Sequence, residues 1–142
     1  MGFCYKKSMS SYLKSSSVSG KTGTRNSYWL GKYGEDLAAH YLRSIGFIIL
    51  FSRFRTRHGD IDLIAQTEEI LVFCEVKARA SQQFGRGLEA VNYLKWIRLC
   101  KGVYEYLDRT EWQGDFRVDV IEVEFSLQNE MINLCHLKDI TF

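Results

Sequence analysis

Apolar residues recur at helical spacing from Tyr28 onward: Leu30, Tyr33, Leu37, Tyr41 and Ile45, with Ala38 and Leu42 filling the same stripe. This predicts a first helix, and Gly46 follows as its C-terminal stop. The period then shortens. FIILFSRF reads as a strand, Arg55 to Gly59 as a turn, IDLIA as a short strand and QTEE as a second turn. ILVFCEVK is a longer strand, rich in β-branched and aromatic residues. The link between IDLIA and ILVFCEVK is short, so the two should pair as an antiparallel hairpin. A loop from Ala80 to Gly87 follows. Leu88, Val91, Leu94, Ile97, Val103, Tyr104 and Leu107 then mark a second, longer helix. FRVDVIEVEF and MINLC close the chain as two strands, a hairpin around Gln128 and Asn129. Helix, three strands, helix and two strands predict an α/β domain: a single mixed β-sheet flanked by helices.

Composition changes this picture at one end. Residues 1–27 are rich in serine, carry Lys6, Lys7, Lys14, Lys21 and Arg25, and hold no acid. They read as a mobile basic tail ahead of one domain over 28–142, and their composition also resembles a transit peptide. The whole chain has a formal charge of +2, so the rest of it is net acidic. Bulk charge is therefore no ground for nucleic-acid binding, and a polyanion must be met by a local patch or by metal ions held on the acids. No apolar run approaches the roughly 18 residues of a membrane span. The four cysteines, Cys4, Cys74, Cys100 and Cys135, are widely spaced. They read as reduced thiols, which suits a cytoplasmic protein, and neither they nor the three histidines form a zinc cluster.

The candidate chemistry lies where the central strands turn polar. ILVFCEVK is apolar until Glu75-Val76-Lys77, and alternation puts Glu75 and Lys77 on one face and Val76 on the other. In the preceding strand, alternation puts Asp60 and Asp62 on a common face, and hairpin pairing brings Asp62 towards Glu75. Two neighbouring carboxylates repel, and a bound divalent cation offsets that cost. Magnesium, or manganese in its place, would clamp a phosphate and lower the pKa of a bound water, while Lys77 offsets transition-state charge. A solvated ion pair is the plainer reading of Glu75 and Lys77 alone. Asp62 inside IDLIA lacks an obvious structural reason.

This Asp62, then Glu75-x-Lys77 pattern resembles the PD-(D/E)xK motif of restriction-endonuclease-like nucleases. More closely, GKYGEDLAAHYLRSIGF, HGDIDLIA, LVFCEVKAR, FGRGLEAVNYLKWIRL and FRVDVIEV resemble the YraN family of uncharacterised bacterial proteins. The family usually has Gly-Glu where this chain has Gly59-Asp60, and the superfamily's proline before the aspartate is missing. The resemblance implies a restriction-endonuclease-like fold, similar to archaeal-type Holliday junction resolvases, acting on structured or branched DNA in repair or recombination. It implies metal ligation by Asp62, Glu75 and a first-helix glutamate, here Glu35, and catalysis by these three with Lys77. Glu35 also reads as an acid favoured by the helix dipole. Lys95 matches a lysine of the family pattern and could meet the DNA backbone or the metal-site carboxylates. Arg53, Arg55 and Arg57 alternate, which suggests a row along one edge that, with Arg79 and Lys95, contacts phosphates. Symmetric junction cutting would call for a homodimer. A nucleic-acid-binding module that no longer cuts is the alternative, and a scaffold with surface charges is the third.

Overall fold

The computed structural model describes residues 3–5, 27–80, 92–128 and 130–140. The elements are β1 (Phe3–Tyr5), α1 (Ser27–Ser44), β2 (Ile48–Thr56), β3 (Gly59–Gln66), β4 (Ile70–Ala80), α2 (Tyr93–Thr110), β5 (Asp115–Phe125) and β6 (Met131–Leu137). They form one six-stranded sheet in the order β1-β6-β5-β4-β3-β2. β4 and β5 are parallel, joined through α2, and every other pairing is antiparallel. This is the expected mixed α/β sheet, consistent with a restriction-endonuclease-like fold. Both expected hairpins, β3–β4 and β5–β6, are present. Of the tail, Phe3–Tyr5 pair with β6. The expected loop after Ala80 and the helical positions Leu88 and Val91 lie largely or wholly outside the described residues, as do Phe84 and Arg86.

Two apolar clusters explain the sandwich. On one face α1 packs Ala38, Ala39 and Leu42 against Leu63, Ala65, Val72, Cys74, Ile121 and Val123. On the other, α2 packs Leu99, Val103 and Tyr106 against Ile61, Ile64, Leu71 and Phe73. β4 and β5 lie between both helices, which is why ILVFC and VDVIEV are almost continuously buried rather than alternating. Burying a side chain such as Phe73 or Leu42 contributes about 1.5–3 kcal/mol. The aromatics Trp29, Tyr33 and Phe125 form a chain of ring contacts at 5.0 and 5.5 Å along the α1 side.

Glycine shapes α1 at its C-terminal end and in its interior. Gly46, at φ +98, takes the left-handed turn, and the Gly46 and Phe47 N–H groups return to the Arg43 and Leu42 carbonyls. At Gly34 a Cβ would lie 3.2 Å from the Ala78 Cβ, so the bare backbone lets α1 settle onto the end of β4. That approach carries the next residue, Glu35, towards the polar end of the sheet.

α2 begins with Asn92, whose side-chain oxygen accepts the Lys95 N–H as an N-cap. Its position fixes Lys95 in the first turn. β2 extends further than expected: it runs through Thr56, and the turn shrinks to Arg57 and His58.

Candidate active site at the end of the central hairpin

β4 delivers Glu75 and Lys77 as alternation requires. Val76 joins the α1 cluster, while Glu75 and Lys77 share the opposite face with α2. Leu63 pairs with Cys74, so Asp62 and Glu75 follow at the end of the β3–β4 ladder. Asp62 Oδ2 accepts the Val76 N–H at 2.7 Å.

Alternation fails in β3. Ile61 packs in the α2 cluster, whereas Leu63 and Ala65 pack in the α1 cluster. The two-residue period is therefore interrupted at Asp62, and it cannot be what sets Asp60 and Asp62 on a common face. Opposite this point β2 is also distorted: Arg53 has φ +53, a left-handed conformation that costs a non-glycine residue roughly 1 kcal/mol or more. The cost is met by what Arg53 then reaches. Its Nε and Nη2 lie 2.6 and 3.1 Å from the two Glu35 oxygens, and its Nη1 donates to the Tyr28 hydroxyl at 3.2 Å. These bonds, the Glu35 one foremost, raise the guanidinium further above its ordinary range.

The same kink breaks the expected arginine row. Arg53 turns to Glu35, Arg55 lies 3.7 Å from Asp60, and Arg57 lies 3.4 Å from Glu105 on α2. Arg55 and Arg57 stay 87% and 83% exposed, so they remain free to meet a ligand, as separate groups rather than one line. Arg79 lies 3.9 Å from the buried Glu122. Glu35 sits more than two turns past the start of α1, so the helix dipole does not account for it.

Charges around Asp62 and Glu75 are unevenly met. Burial pushes the Asp62 carboxyl up to about 7, reinforced by the negative charges of Glu75 and Glu35 and opposed by the Val76 N–H. Burial also works against an ionised Glu75. There the charge and hydrogen bond of Lys77, with those of Lys95, win and hold it below the usual carboxylate range. Lys77 and Lys95 both meet Glu75 at Oε1. Burial lowers Lys77 below the usual lysine range, though Glu75 opposes the shift and the Lys95 ammonium adds to it. A cavity of about 390 Å³ opens beside Glu75, between the β2–β3 turn and the first turns of α2.

Among the described residues no three His, Cys, Asp or Glu side chains gather closely enough to hold a metal ion. Glu35 is turned to Arg53, Asp62 to Val76 and Glu75 to two lysines. The donor set nonetheless suits a hard divalent cation. Asp62, Glu75 and Glu35 interact electrostatically, and a cation shared between carboxyls would relieve their mutual repulsion.

Sequence reasoning missed a second polar cluster, on the α1 face. Asp119, fully buried in β5, bonds His136 Nε2 at 2.7 Å and the Arg117 Nε at 3.0 Å, and accepts the Asp139 N–H at 2.9 Å. His136 Nδ1 lies 3.2 Å from the Tyr41 hydroxyl. Burial alone would raise Asp119, but the bonds from His136, Asp139 and Arg117 hold it below its ordinary value. The visible signal was a charge inside the apolar run VDVIEV, the same signal that drew notice to Asp62.

Fold and site together define an α/β protein with an acid-and-lysine cluster at the open end of an antiparallel hairpin. The chain matches the family described as "Uncharacterised protein family UPF0102" over residues 34–123. A UPF0102 protein of Sulfurihydrogenibium sp. (strain YO3AOP1) is 38% identical over 104 residues, covering 70% of this chain and 90% of the relative. Those of Alkaliphilus oremlandii and Clostridium perfringens (strain ATCC 13124) are 41% and 40% identical, covering 73% and 78% of this chain and 92% and 91% of theirs. The chain belongs to the UPF0102 family, the family also called YraN. Its matched span runs from Gly34 to Val123, which includes all four residues expected to carry the chemistry. No helix among the described residues is long and apolar enough to cross a membrane.

Proposed function

We propose that this protein is a metal-dependent nuclease of the PD-(D/E)xK kind, hydrolysing phosphodiester bonds in structured or branched DNA. The observation that carries the reading is Asp62. It is a half-buried carboxyl within the apolar stretch Ile61–Ala65 of β3, crowded by Glu75 and Glu35, opposed by the charge of Lys95, and bonded on its own side by a single described backbone N–H. Protein interiors tolerate such crowding where a cation is to be bound. A structural role would leave the acid paired, as Asp119 is.

Asp62 and Glu75 would hold magnesium or manganese, with Glu35 joining if it is released from Arg53. The metal supplies a water of lowered pKa and a positive clamp on the phosphate. The chain's own residues do the rest. Glu75 anchors Lys77 in the floor of the cluster, where its ammonium can orient a nucleophile and stabilise the charge that builds on the phosphate. Val76 N–H fixes the Asp62 carboxylate, so one of its oxygens is already committed and its direction is set. Arg55 and Arg57, exposed on the β2–β3 turn, can contact the backbone of a bound strand.

The test is a magnesium-dependent cleavage screen over duplex, flap, single-stranded and four-way DNA, with Glu75→Ala as control. Cutting that needs both the metal and Glu75 supports the reading. DNA binding without cutting under any metal favours the non-catalytic binding module instead.

A further inference from the structure

Glu75 takes two ammonium groups, from Lys77 and Lys95, on the single oxygen Oε1. They arrive by different routes. Lys77 is fixed two residues along the same face of β4, and its side chain is 13% exposed. Lys95 comes from the first turn of α2, and its side chain is 45% exposed. The first is part of the floor of the site, whereas the second is a half-solvated arm with somewhere else to go. That place is deeper in the cavity that Lys95 and Glu75 both line, towards Arg98, one helical turn further along α2, with His58 and Asp60 from the β2–β3 turn on the other side.

The charges explain why Lys95 would move. Around Glu75 stand two carboxyls, Asp62 and Glu75, and two ammoniums, Lys77 and Lys95, so formal charge is balanced without any ion. A dication approaching Glu75 meets two like charges on the oxygen it needs, at a few ångström and in a partly desolvated place. The cheapest relief is for the more exposed lysine to leave. Swung away from Glu75, its ammonium stands with Arg98 on the α2 wall of that cavity, which sets two cations on that wall for a phosphate once the metal has taken up the charge of Glu75, with Asp60 on the opposite side.

We propose that Lys95 holds the place of the divalent cation on Glu75, and that the displaced ammonium joins Arg98 in the adjoining cavity to take a phosphate of the nucleic acid. This rests on the nuclease reading above and adds a coupling to it. Metal and polyanion bind cooperatively, because the cation released by the first is delivered to the second.

The experiment is a titration of the full chain with Mn2+, free ion being followed by electron paramagnetic resonance, with and without a DNA duplex. Wild type, Lys95→Met and Glu75→Gln are compared, and circular dichroism checks the fold. Lys95→Met keeps the apolar stem and removes only the charge. Without DNA, Lys95→Met should bind Mn2+ about tenfold tighter than wild type, the scale of one partly buried charge pair. DNA should tighten Mn2+ binding by about the same factor in wild type and far less in Lys95→Met. If Lys95→Met binds Mn2+ no tighter than wild type while Glu75→Gln binds worse than both, the place-holding role is wrong and the metal site stands. If DNA tightens Mn2+ equally in wild type and Lys95→Met, the hand-over to phosphate is wrong. Mn2+ binding that ignores Glu75→Gln removes the metal site itself, and this inference with it.

Discussion

Two polar clusters lie in the same sheet, and they are built to opposite rules. Asp119 is met on every side: by His136, by Arg117 and by the Asp139 N–H, with Tyr41 closing the far end of the imidazole. Its carboxyl is held below its ordinary value. Asp62 has burial and two other acids against it, which outweigh the Val76 N–H and the charge of Lys95, and its carboxyl is pushed up to about 7. Both interrupt apolar strands. What separates a structural acid from a candidate working one is whether the neighbours complete its charge.

The sharpest way to break the contrast is to cut each acid. Asp119→Ala should destabilise the fold by about 3–5 kcal/mol, because it strands the buried His136 and frees Arg117. Denaturant unfolding reads this directly. A loss under about 1 kcal/mol would mean the cluster is not a structural one.

Asp62→Asn should do the reverse. Asparagine still accepts the Val76 N–H but carries no charge. A carboxyl whose folded pKa is raised above its unfolded value of 3.8 penalises the folded state as pH climbs. The penalty is absent below about pH 4, grows towards pH 7 and is constant above it. Without metal, the variant should therefore be more stable than wild type at pH 8, by up to about 4 kcal/mol, and no different at pH 3. Melting curves across that range check both the sign and the window.

A smaller effect concerns rate. Lys77→Ala should leave Asp62 and Glu75 able to hold metal and slow cleavage about a hundred- to a thousandfold, or roughly 2 to 4 kcal/mol. Single-turnover cleavage beside a metal titration separates the two. Normal cutting by this variant would leave the metal site intact and end the role given to the lysine. Smallest of all, Arg57→Ala removes one ion pair with Glu105 and should leave the melting midpoint nearly unchanged. If Arg57 contacts phosphate, the slope of DNA affinity against salt should fall by about one.

The contrast also shows what was legible in the chain. The Leu30 to Ile45 stripe and Gly46 gave α1 its extent, because local periodicity and a left-handed turn depend only on neighbouring residues. The hairpins, and the common face of Glu75 and Lys77, followed from a period of two and short links. What stayed hidden needed contacts between distant segments. The left-handed turn at Arg53 is held by Glu35 of α1, and it comes where alternation in β3 is lost at Asp62. No window around IDLIA carries that information. That Lys95 meets a carboxylate was one of two expectations the family pattern left open, and Glu75 is the one it meets, with Asn92 fixing the start of α2 beside the β3–β4 ladder. Asp119 and His136 meet through β5–β6 pairing, and the charge inside VDVIEV gives no sign of that partner.

The central claim is that Asp62 lacks a cation that a divalent metal supplies. It is tested most directly by melting wild type and Asp62→Asn at pH 8, each with and without magnesium. The account predicts that magnesium raises the midpoint of wild type by several degrees, about 1–2 kcal/mol at concentrations well above Kd, and leaves Asp62→Asn where it was. The advantage of the variant should thereby shrink. Magnesium that shifts both proteins alike, or neither, would contradict it.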